Sequence, residues 1–547
     1  MSLRGTGQGG TLARLWETVE VLGSAGMLNP SFMINLQKGI KKWGSTPAGG
    51  FWASAQRRPD DVGLIDEAGP PMTFREIDQH SNAIANGLAA AGVKTGDGVS
   101  LFARNHRGFV LSMVALNKLG ADTLLLNTGF AAPQLAEVVA REGSKVVLYD
   151  DEFAPTVARG AADLRRFVTY GSGSLGDATI FDLAGGSSNA EPAAPSRHGR
   201  TTILTSGTTG TPKGARRAVK RASLDTFVGL FGRMPLRVGD TTFDAAPAFH
   251  SWGGLHLLLG AMLSSTIVMR NRFDPEDTLR TIHERRPDVL AVVPVMMQRI
   301  LALPEEVIRK YDCRSLRVVA ASGSALPGEL ALRWMDTFGD NVYNFYGSTE
   351  VAQASIAMPD ELRAAPGTAG RPPRGTIVRI IDADGNELPA GATGRIFVAN
   401  ENQFDGYTGG GNKEIIKGLM SSGDVGHFDE NGLLFVDGRD DDMIISGGEN
   451  VFPREVEDLL TDHPLVHEAA VIGVADTEFG QRLQAFVVLV EAQACTADHL
   501  KQHVREHLAR YKVPRDIVFL DELPRNPTGK VLKRVLKELV IEVRQEG

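Results

Sequence analysis

Cysteine is nearly absent: 547 residues hold two, Cys313 and Cys495. They lie far apart and form neither a metal-ligand nor a redox spacing, so a reducing compartment is the default reading. No run of 18 or more apolar residues occurs, and no segment reads as bilayer-spanning. The amino terminus, MSLRGTGQGGTLARLWETVEVLG, lacks a continuous apolar stretch followed by a small-residue cleavage site, so no secretory signal is legible. Positive charge is short as well. Against 66 Asp and Glu stand 58 Lys and Arg, a formal net charge of −8, which argues against a nucleic-acid partner. No fixed-period repeat is present.

What is present is a chain with 42% hydrophobic and 23% charged residues, the composition of a globular protein, and long enough for several domain-sized units. From residue 62 to 150, short apolar runs (VGLID, GVSLFAR, ADTLLL, KVVLY) alternate with helical patterns (TFREIDQHSNAIANGLAAAGV, FVLSMVALNKLG). Such alternation predicts parallel sheet with covering helices. A Gly/Ser/Ala/Pro stretch at 184–200 reads as a surface loop. The alternation resumes with TTIL, DVLAVVP, RVVAA and the helix PGELALRWMDTF, then gives way to shorter strands and turns around 376–436. From about 442, PREVEDLL, HEAAVIGV, LQAFVVLV, another helix and a last strand compose a small α+β domain. The stretch 27–43, MLNPSFMINLQKGIKKW, mixes large apolar side chains with lysines. Packing on the main body is its expected role, with contact to a membrane surface the alternative.

The densest chemical signal is LTSGTTGTPKGARR, residues 204–217. Glycines let successive backbone N–H groups turn towards one anion, hydroxyls add donors without bulk, and Lys213 adds a full charge. A polyphosphate is the natural guest. The Walker pattern is excluded because Lys213 precedes Gly214 rather than a Ser or Thr. A literal G-x-G-x-x-G at Gly171–Gly176 leads into the short run TIFDL rather than a long helix, and reads as a chance match.

The order Thr-Ser-Gly-Thr-Thr-Gly-x-Pro-Lys-Gly resembles the phosphate loop of the adenylate-forming superfamily of acyl-CoA synthetases, luciferases and peptide-synthetase adenylation domains. Further motifs recur in that superfamily's order across residues 60 to 540. The resemblance implies that Thr205, Ser206, Gly207, Thr208, Thr209, Gly210 and Lys213 hold the pyrophosphate end of ATP. His250, in PAFHSWGG, falls beside the carboxylate substrate. Gly323, Ser324 and Ala325 form the turn under adenine. In YGSTE, Tyr346 stacks on adenine, Thr349 contacts the α-phosphate and Glu350 holds Mg²⁺. Asp424 and Arg439 bind the ribose, with Ser422 where threonine is usual. Asp441 occupies the hinge position, although Asp440, Asp441 and Asp442 also read as a solvated acidic turn. In SGGENVFP, Gly447 and Gly448 line the thiol tunnel. Lys530, in PRNPTGKVLKR, is the catalytic lysine. Lys533 and Lys537 read as a solvated helix face, as do Arg216, Arg217, Lys220 and Arg221.

The implied fold is α/β: a large multi-subdomain N-terminal domain with mostly parallel sheets, residues 1–440, and a small mobile α+β domain, 441–547. The implied activity is an AMP-forming acid–thiol ligase that uses ATP, Mg²⁺ and coenzyme A. Wording such as FHSWGG, FDGYTGG and YKVPRDIVFLDELPRNPTGK is similar to bacterial fatty-acyl-CoA synthetases, so a medium- or long-chain fatty acid is the expected substrate. Two alternatives stand beside it: an aromatic or short-chain acyl-CoA ligase, and a non-catalytic nucleotide- or acyl-binding relative. The intact Glu350, Asp424, Arg439 and Lys530 argue against the second. A cytoplasmic location, with or without peripheral membrane contact, is expected, and the oligomeric state stays open.

Overall fold

The computed structural model describes residues 8–205, 213–217, 224–446, 449–476, 480–491, 495–526 and 529–545. An eight-stranded sheet runs, in spatial order, through Ala352–Ala357, Val342–Ser348, Val318–Ala321, Val289–Val292, Thr241–Asp244, Thr266–Met269, Val62–Ile65 and Met72–Thr73. Only its outermost pairs are antiparallel. Val289–Val292 and Val318–Ala321 are buried at every position, as parallel strands covered on both faces must be. These are the runs DVLAVVP and RVVAA, which lack polar alternation for that reason.

A seven-stranded sheet is built around Gly98–Phe102, with Asp122–Leu125 and Ser144–Asp150 parallel to it on either side. At one end the hairpin Thr201–Thr205/Lys213–Arg217 closes with Thr205 opposite Lys213, so segment 206–212 joins two antiparallel strands. The covering helices start where local chemistry dictates. Thr73 caps Phe74–Ala90 in a reciprocal capping box with Glu76, and Gly120, at φ 67°, ends Arg107–Leu119 in a left-handed cap. The run TIFDL forms a short helix, Ile180–Gly185, started by a Thr179–Asp182 capping box.

A third, antiparallel sheet spans Ile377–Ile381 to Leu434–Arg439. The chain leaves it through the 3₁₀ turn Asp440–Asp442 and enters a fourth sheet whose long hairpin is Val466–Asp476/Gly480–Leu489. The helix Lys533–Gln545 packs Leu536 and Val540 against Ala470, Ile472 and Phe486 of that sheet. This α/β architecture, with mostly parallel large sheets and a smaller carboxy-terminal unit, is the fold class that the sequence implies.

The amino-terminal helices flank the first two sheets. Pro30–Trp43 crosses Pro47–Arg57 at Gly39 and Gly49, where a Cβ on Gly39 would lie 2.2 Å from the Gly49 carbonyl oxygen. Phe32, Gly39 and Trp43 are buried, which meets the expectation that segment 27–43 packs on the body, but Met33 and Ile34 remain exposed. Among the described residues, no helix is long and apolar enough to cross a membrane.

Candidate active site

A cleft of about 1320 Å³ lies where the large sheets, the third sheet and the carboxy-terminal unit meet. Its floor includes the turn Gly323, Ser324 and Ala325, all three facing the cleft. Gly323 has φ +92°, a conformation that side chains rarely adopt, and a Cβ there would reach Val293 Cγ1 at 3.2 Å. The turn follows Val318–Ala321, and a flat ring has room above it.

Strand Val342–Ser348 ends in YGSTE. A register shift between Tyr346 and Gly347 turns the following residues inward. Gly347 is required there, since a Cβ would fall 1.9 Å from the Ala352 carbonyl oxygen. The Ser348 hydroxyl accepts hydrogen bonds from the Glu350 and Val351 amides and so fixes the turn. Tyr346 donates to Asp424 Oδ2 at 2.6 Å. Asp424 and Arg439 stand opposite one another on neighbouring strands, with Arg439 Nη1 3.5 Å from Asp424 Oδ1. Burial raises the Asp424 carboxyl above its ordinary range, while Arg439 and the Tyr346 hydroxyl pull it down. Tyr346 is itself held well above the usual phenol range, by burial first and then by Asp424.

Glu350 and Thr349 are buried beside this pair. The Tyr407 hydroxyl donates to Glu350 Oε1 at 2.9 Å, and the Thr349 hydroxyl lies 3.4 Å from that of Ser251. Lys213 stands over the Tyr407 ring, its Nζ 5.4 Å from the centroid. The donor set here, one carboxylate and nearby hydroxyls, suits magnesium, which keeps waters and takes substrate phosphates as ligands. Among the described residues no three His, Cys, Asp or Glu side chains form a metal cage. A magnesium ion held by Glu350 would therefore complete its shell from a nucleotide.

His250 lines the cleft ahead of helix Ser251–Met262. Burial, and next the charge of Lys530, push its imidazole down to about 4, so it is neutral at pH 7. Trp252 is in the core: its indole N–H donates to the Val292 carbonyl at 3.1 Å, and its ring packs 5.0 Å from that of Phe345. The leucines of LHLLLGAM, Leu255, Leu257, Leu258 and Leu259, all line the cleft, with Leu257 and Leu259 the more deeply buried. Phe227, Leu230, Leu255, Leu330 and Phe345 are among the apolar residues that line the cleft.

Lys530 reaches the same cleft from the carboxy-terminal unit. Its side chain is open to the cleft's solvent, yet the protein closing around it is the main force that lowers its ammonium below the ordinary lysine range. Arg439 adds to that, and Asp442, Asp424 and Asp441 oppose it. Its loop is held by a hydrogen bond from the Lys530 amide to Asn526 Oδ1 at 2.9 Å and by Gly529 packed on Val295. Asp441 is exposed and chelates the Arg439 guanidinium, with Nε 2.9 Å from Oδ1.

The structure thus brings Lys213, His250, Gly323, Ser324, Ala325, Tyr346, Thr349, Glu350, Asp424, Arg439, Asp441 and Lys530 around one cleft. Thr205 ends its strand beside Lys213. Ser206, Gly207, Thr208, Thr209, Gly210, Gly447 and Gly448 lie outside the described residues, as do Lys220 and Arg221. Two expectations are corrected. Arg216 and Arg217 lie on the strand Lys213–Arg217 rather than on a helix face. Lys533 is not on a solvated face: it pairs with Glu457 at 3.0 Å and Asp442 at 3.6 Å. Tyr407 was missed, although the run FDGYTGG that contains it was a visible signal.

Residues 51–408 match the family described as AMP-binding enzyme, and 455–530 match the AMP-binding enzyme C-terminal domain. The chain is 34% identical to a feruloyl-CoA synthase of Amycolatopsis over 86% of its length and 94% of the relative's. It is 32% identical to an indoleacetate–CoA ligase of Aromatoleum aromaticum, with 86% and 93% of the two chains covered. Among solved structures, the anthranilate CoA ligase AuaEII, in complex with anthranoyl-AMP, superposes with a TM-score of 0.84 at 26% identity, covering 91% of this chain and 98% of that one.

Proposed function

The chain belongs to the AMP-binding enzyme family, and on that premise we propose that it joins an aromatic carboxylate to coenzyme A as an AMP-forming acid–thiol ligase. The observation that carries this reading is the convergence of Lys530 with Tyr346, Asp424, Glu350 and His250 on one cleft, although they are widely separated in the sequence.

The substrates are ATP, a carboxylate and coenzyme A, with Mg²⁺ supplying charge neutralisation at the phosphates when bound. Both reactants of the first step are anions, so they must be held in line and their repulsion screened. Tyr346 and the turn at Gly323 flank the adenine, Asp424 accepts from the ribose hydroxyls, and Lys213 faces the leaving pyrophosphate. A carboxylate oxygen attacks the α-phosphorus, the bond to the bridging oxygen breaks, and acyl-AMP forms. Lys530 carries the positive charge placed between carboxylate and α-phosphate. Neutral His250 offers shape and an N–H there without competing for that charge. In the second step the coenzyme A sulfur attacks the acyl carbonyl and AMP leaves with the mixed-anhydride oxygen. For that step the unit after Asp441 rotates, Lys530 withdraws, and Gly447 and Gly448 line the thiol's approach. We place the domain boundary at 440/441 for this reason.

Aromatic acids are favoured over the fatty acid expected from local wording. Relatives at 34% and 32% identity are named for feruloyl and indoleacetate substrates, and the superposed ligase for anthranilate. In this reading the acyl group sits among the cleft's apolar residues, which include the aromatic rings of Phe227 and Phe345. The deciding experiment measures AMP and thioester formation with ferulate, indoleacetate and anthranilate beside straight-chain acids from short to long. The expected result is a kcat/KM for the best aryl acid at least about tenfold above any straight-chain acid. Activity that climbs with chain length would return the assignment to fatty acids.

A further inference from the structure

The helix Gln8–Ser24 is mounted with its polar side inward. Leu12, Leu15, Trp16 and Val19 are 74%, 58%, 73% and 51% exposed. Their spacing of three, four and seven residues puts them on one face of the helix. The opposite side makes the contacts with the body. Arg374 donates to the Arg14 carbonyl at 3.1 Å and to the Thr18 hydroxyl at 3.0 Å, and pairs with Glu17 at 3.2 Å. Thr18 is buried there, and Val21 packs on the main core. A helix held only for stability would be turned the other way.

Further exposed apolar residues follow this helix in the chain. Leu28 is 44% exposed, and on helix Pro30–Trp43 Met33 and Ile34 are 42% and 52% exposed. Lys38 and Lys41 are exposed on the same helix, one to two turns further on. Residues 12–43 carry Arg14, Lys38, Lys41 and Lys42 against Glu17 and Glu20, in a chain whose total is −8. Locally basic and apolar, this surface departs in sign from the rest of the molecule.

We propose that the face Leu12, Leu15, Trp16 and Val19, together with the exposed lysines of the helix that follows it in the chain, docks the protein on an anionic lipid bilayer. The helix lies in the plane of the interface, with its apolar side chains at the level of the upper acyl chains and the ammonium groups among the headgroups. Tryptophan favours that depth, and lysines near an anionic surface add attraction that salt screens. Charge selects the occupant. A second copy seated on the same patch would bring like-charged lysines together, whereas anionic headgroups complement them. This inference stands apart from the choice of acyl substrate, since none of these residues lines the cleft.

The test is co-sedimentation of the full chain with vesicles of neutral phosphatidylcholine alone or mixed with phosphatidylglycerol. Binding to the anionic vesicles that weakens with salt is expected, with little on the neutral ones. The double variant Leu15→Glu/Trp16→Glu is expected to lower the partition coefficient at least about tenfold while leaving ligase activity in solution unchanged. The double variant Lys38→Glu/Lys41→Glu should remove the preference for anionic lipid. Quenching of tryptophan emission by brominated lipid, lost in Trp16→Phe, reports insertion without a disruptive substitution. Absence of binding to anionic vesicles, or binding unchanged by Leu15→Glu/Trp16→Glu, overturns the proposal. So does a wild-type dimer that this variant turns into a monomer with no lipid binding, which would make the face a subunit interface.

Discussion

Removing the ammonium of Lys530 separates the two half-reactions. Lys530→Ala is expected to lower acyl-AMP formation by about 10² to 10³-fold, the usual loss when one preorganised stabilising group is deleted. Thioester formation from preformed acyl-AMP should stay within a few-fold of wild type, as measured by single-turnover assays of each step. Equal losses in both would sink the division of labour. A second residue acts through its partner. Tyr407 donates to Glu350 across 57 positions of sequence, so Tyr407→Phe leaves that carboxylate oxygen without its donor. A rise in the KM for magnesium-ATP of about tenfold, with a smaller change in kcat, is the expected signature, equivalent to one lost charge-assisted hydrogen bond. At this scale the sequence is legible where chemistry is packed into a contiguous motif, as in YGSTE or around Lys530. Tyr407 and Lys533 were not legible as partners, because Glu350 and Asp442 meet them only through the folded chain.

The hairpin Val342–Ser348/Ala352–Ala357 carries Tyr346, Thr349 and Glu350 as one rigid element, and its geometry depends on Gly347. A methyl group there meets backbone, which cannot rotate away as a side chain would. Gly347→Ala is therefore expected to cost about 1–3 kcal/mol, the range for forcing volume into a packed site. Thermal denaturation would report the loss, and ATP binding should fall with it because the nucleotide-facing residues move together. Unchanged melting and affinity would mean that the hairpin relaxes at no cost. Elements of this kind were readable as far as type and order, since apolar runs alternating with amphipathic helices impose a parallel sheet. The edges were not. The strand Lys213–Arg217 is short and polar and Ala352–Ala357 is short and alanine-rich, so tertiary pairing rather than local preference forms them.

Among the described residues, the contacts of the carboxy-terminal unit with the rest of the molecule include Phe452 beside Gly438 and several hydrogen bonds. Arg454 donates to the Val436 carbonyl at 2.6 Å, Gln298 to the His467 carbonyl at 2.9 Å, and Gly529 packs on Val295. No local pattern in the sequence announces this arrangement, because the partners meet only through the folded chain. One contact gives the orientation a pH dependence. Asp462 of the carboxy-terminal unit faces Glu329 of helix Gly328–Phe338 across the cleft, and its carboxyl is raised to about 7, by burial first and then by Glu329 and Asp458. The docked form therefore holds a proton that a separated Asp462, with an ordinary pKa near 3.8, releases. Docking weakens as pH rises from about 4 to about 7 and stays at that weaker level above, where two carboxylates face each other. Both side chains are exposed to the cleft, so screening keeps the effect to a few-fold in the population of the docked form. Protection of the Lys530 loop from limited proteolysis should accordingly fall between about pH 4 and 7 and level off above, and Glu329→Gln should flatten that profile by removing the repulsion while keeping a hydrogen-bond donor. A profile unchanged in Glu329→Gln would assign the pH response to another group. An orientation held by one shared proton and a handful of carbonyl contacts is one that ATP binding can close and product formation can release.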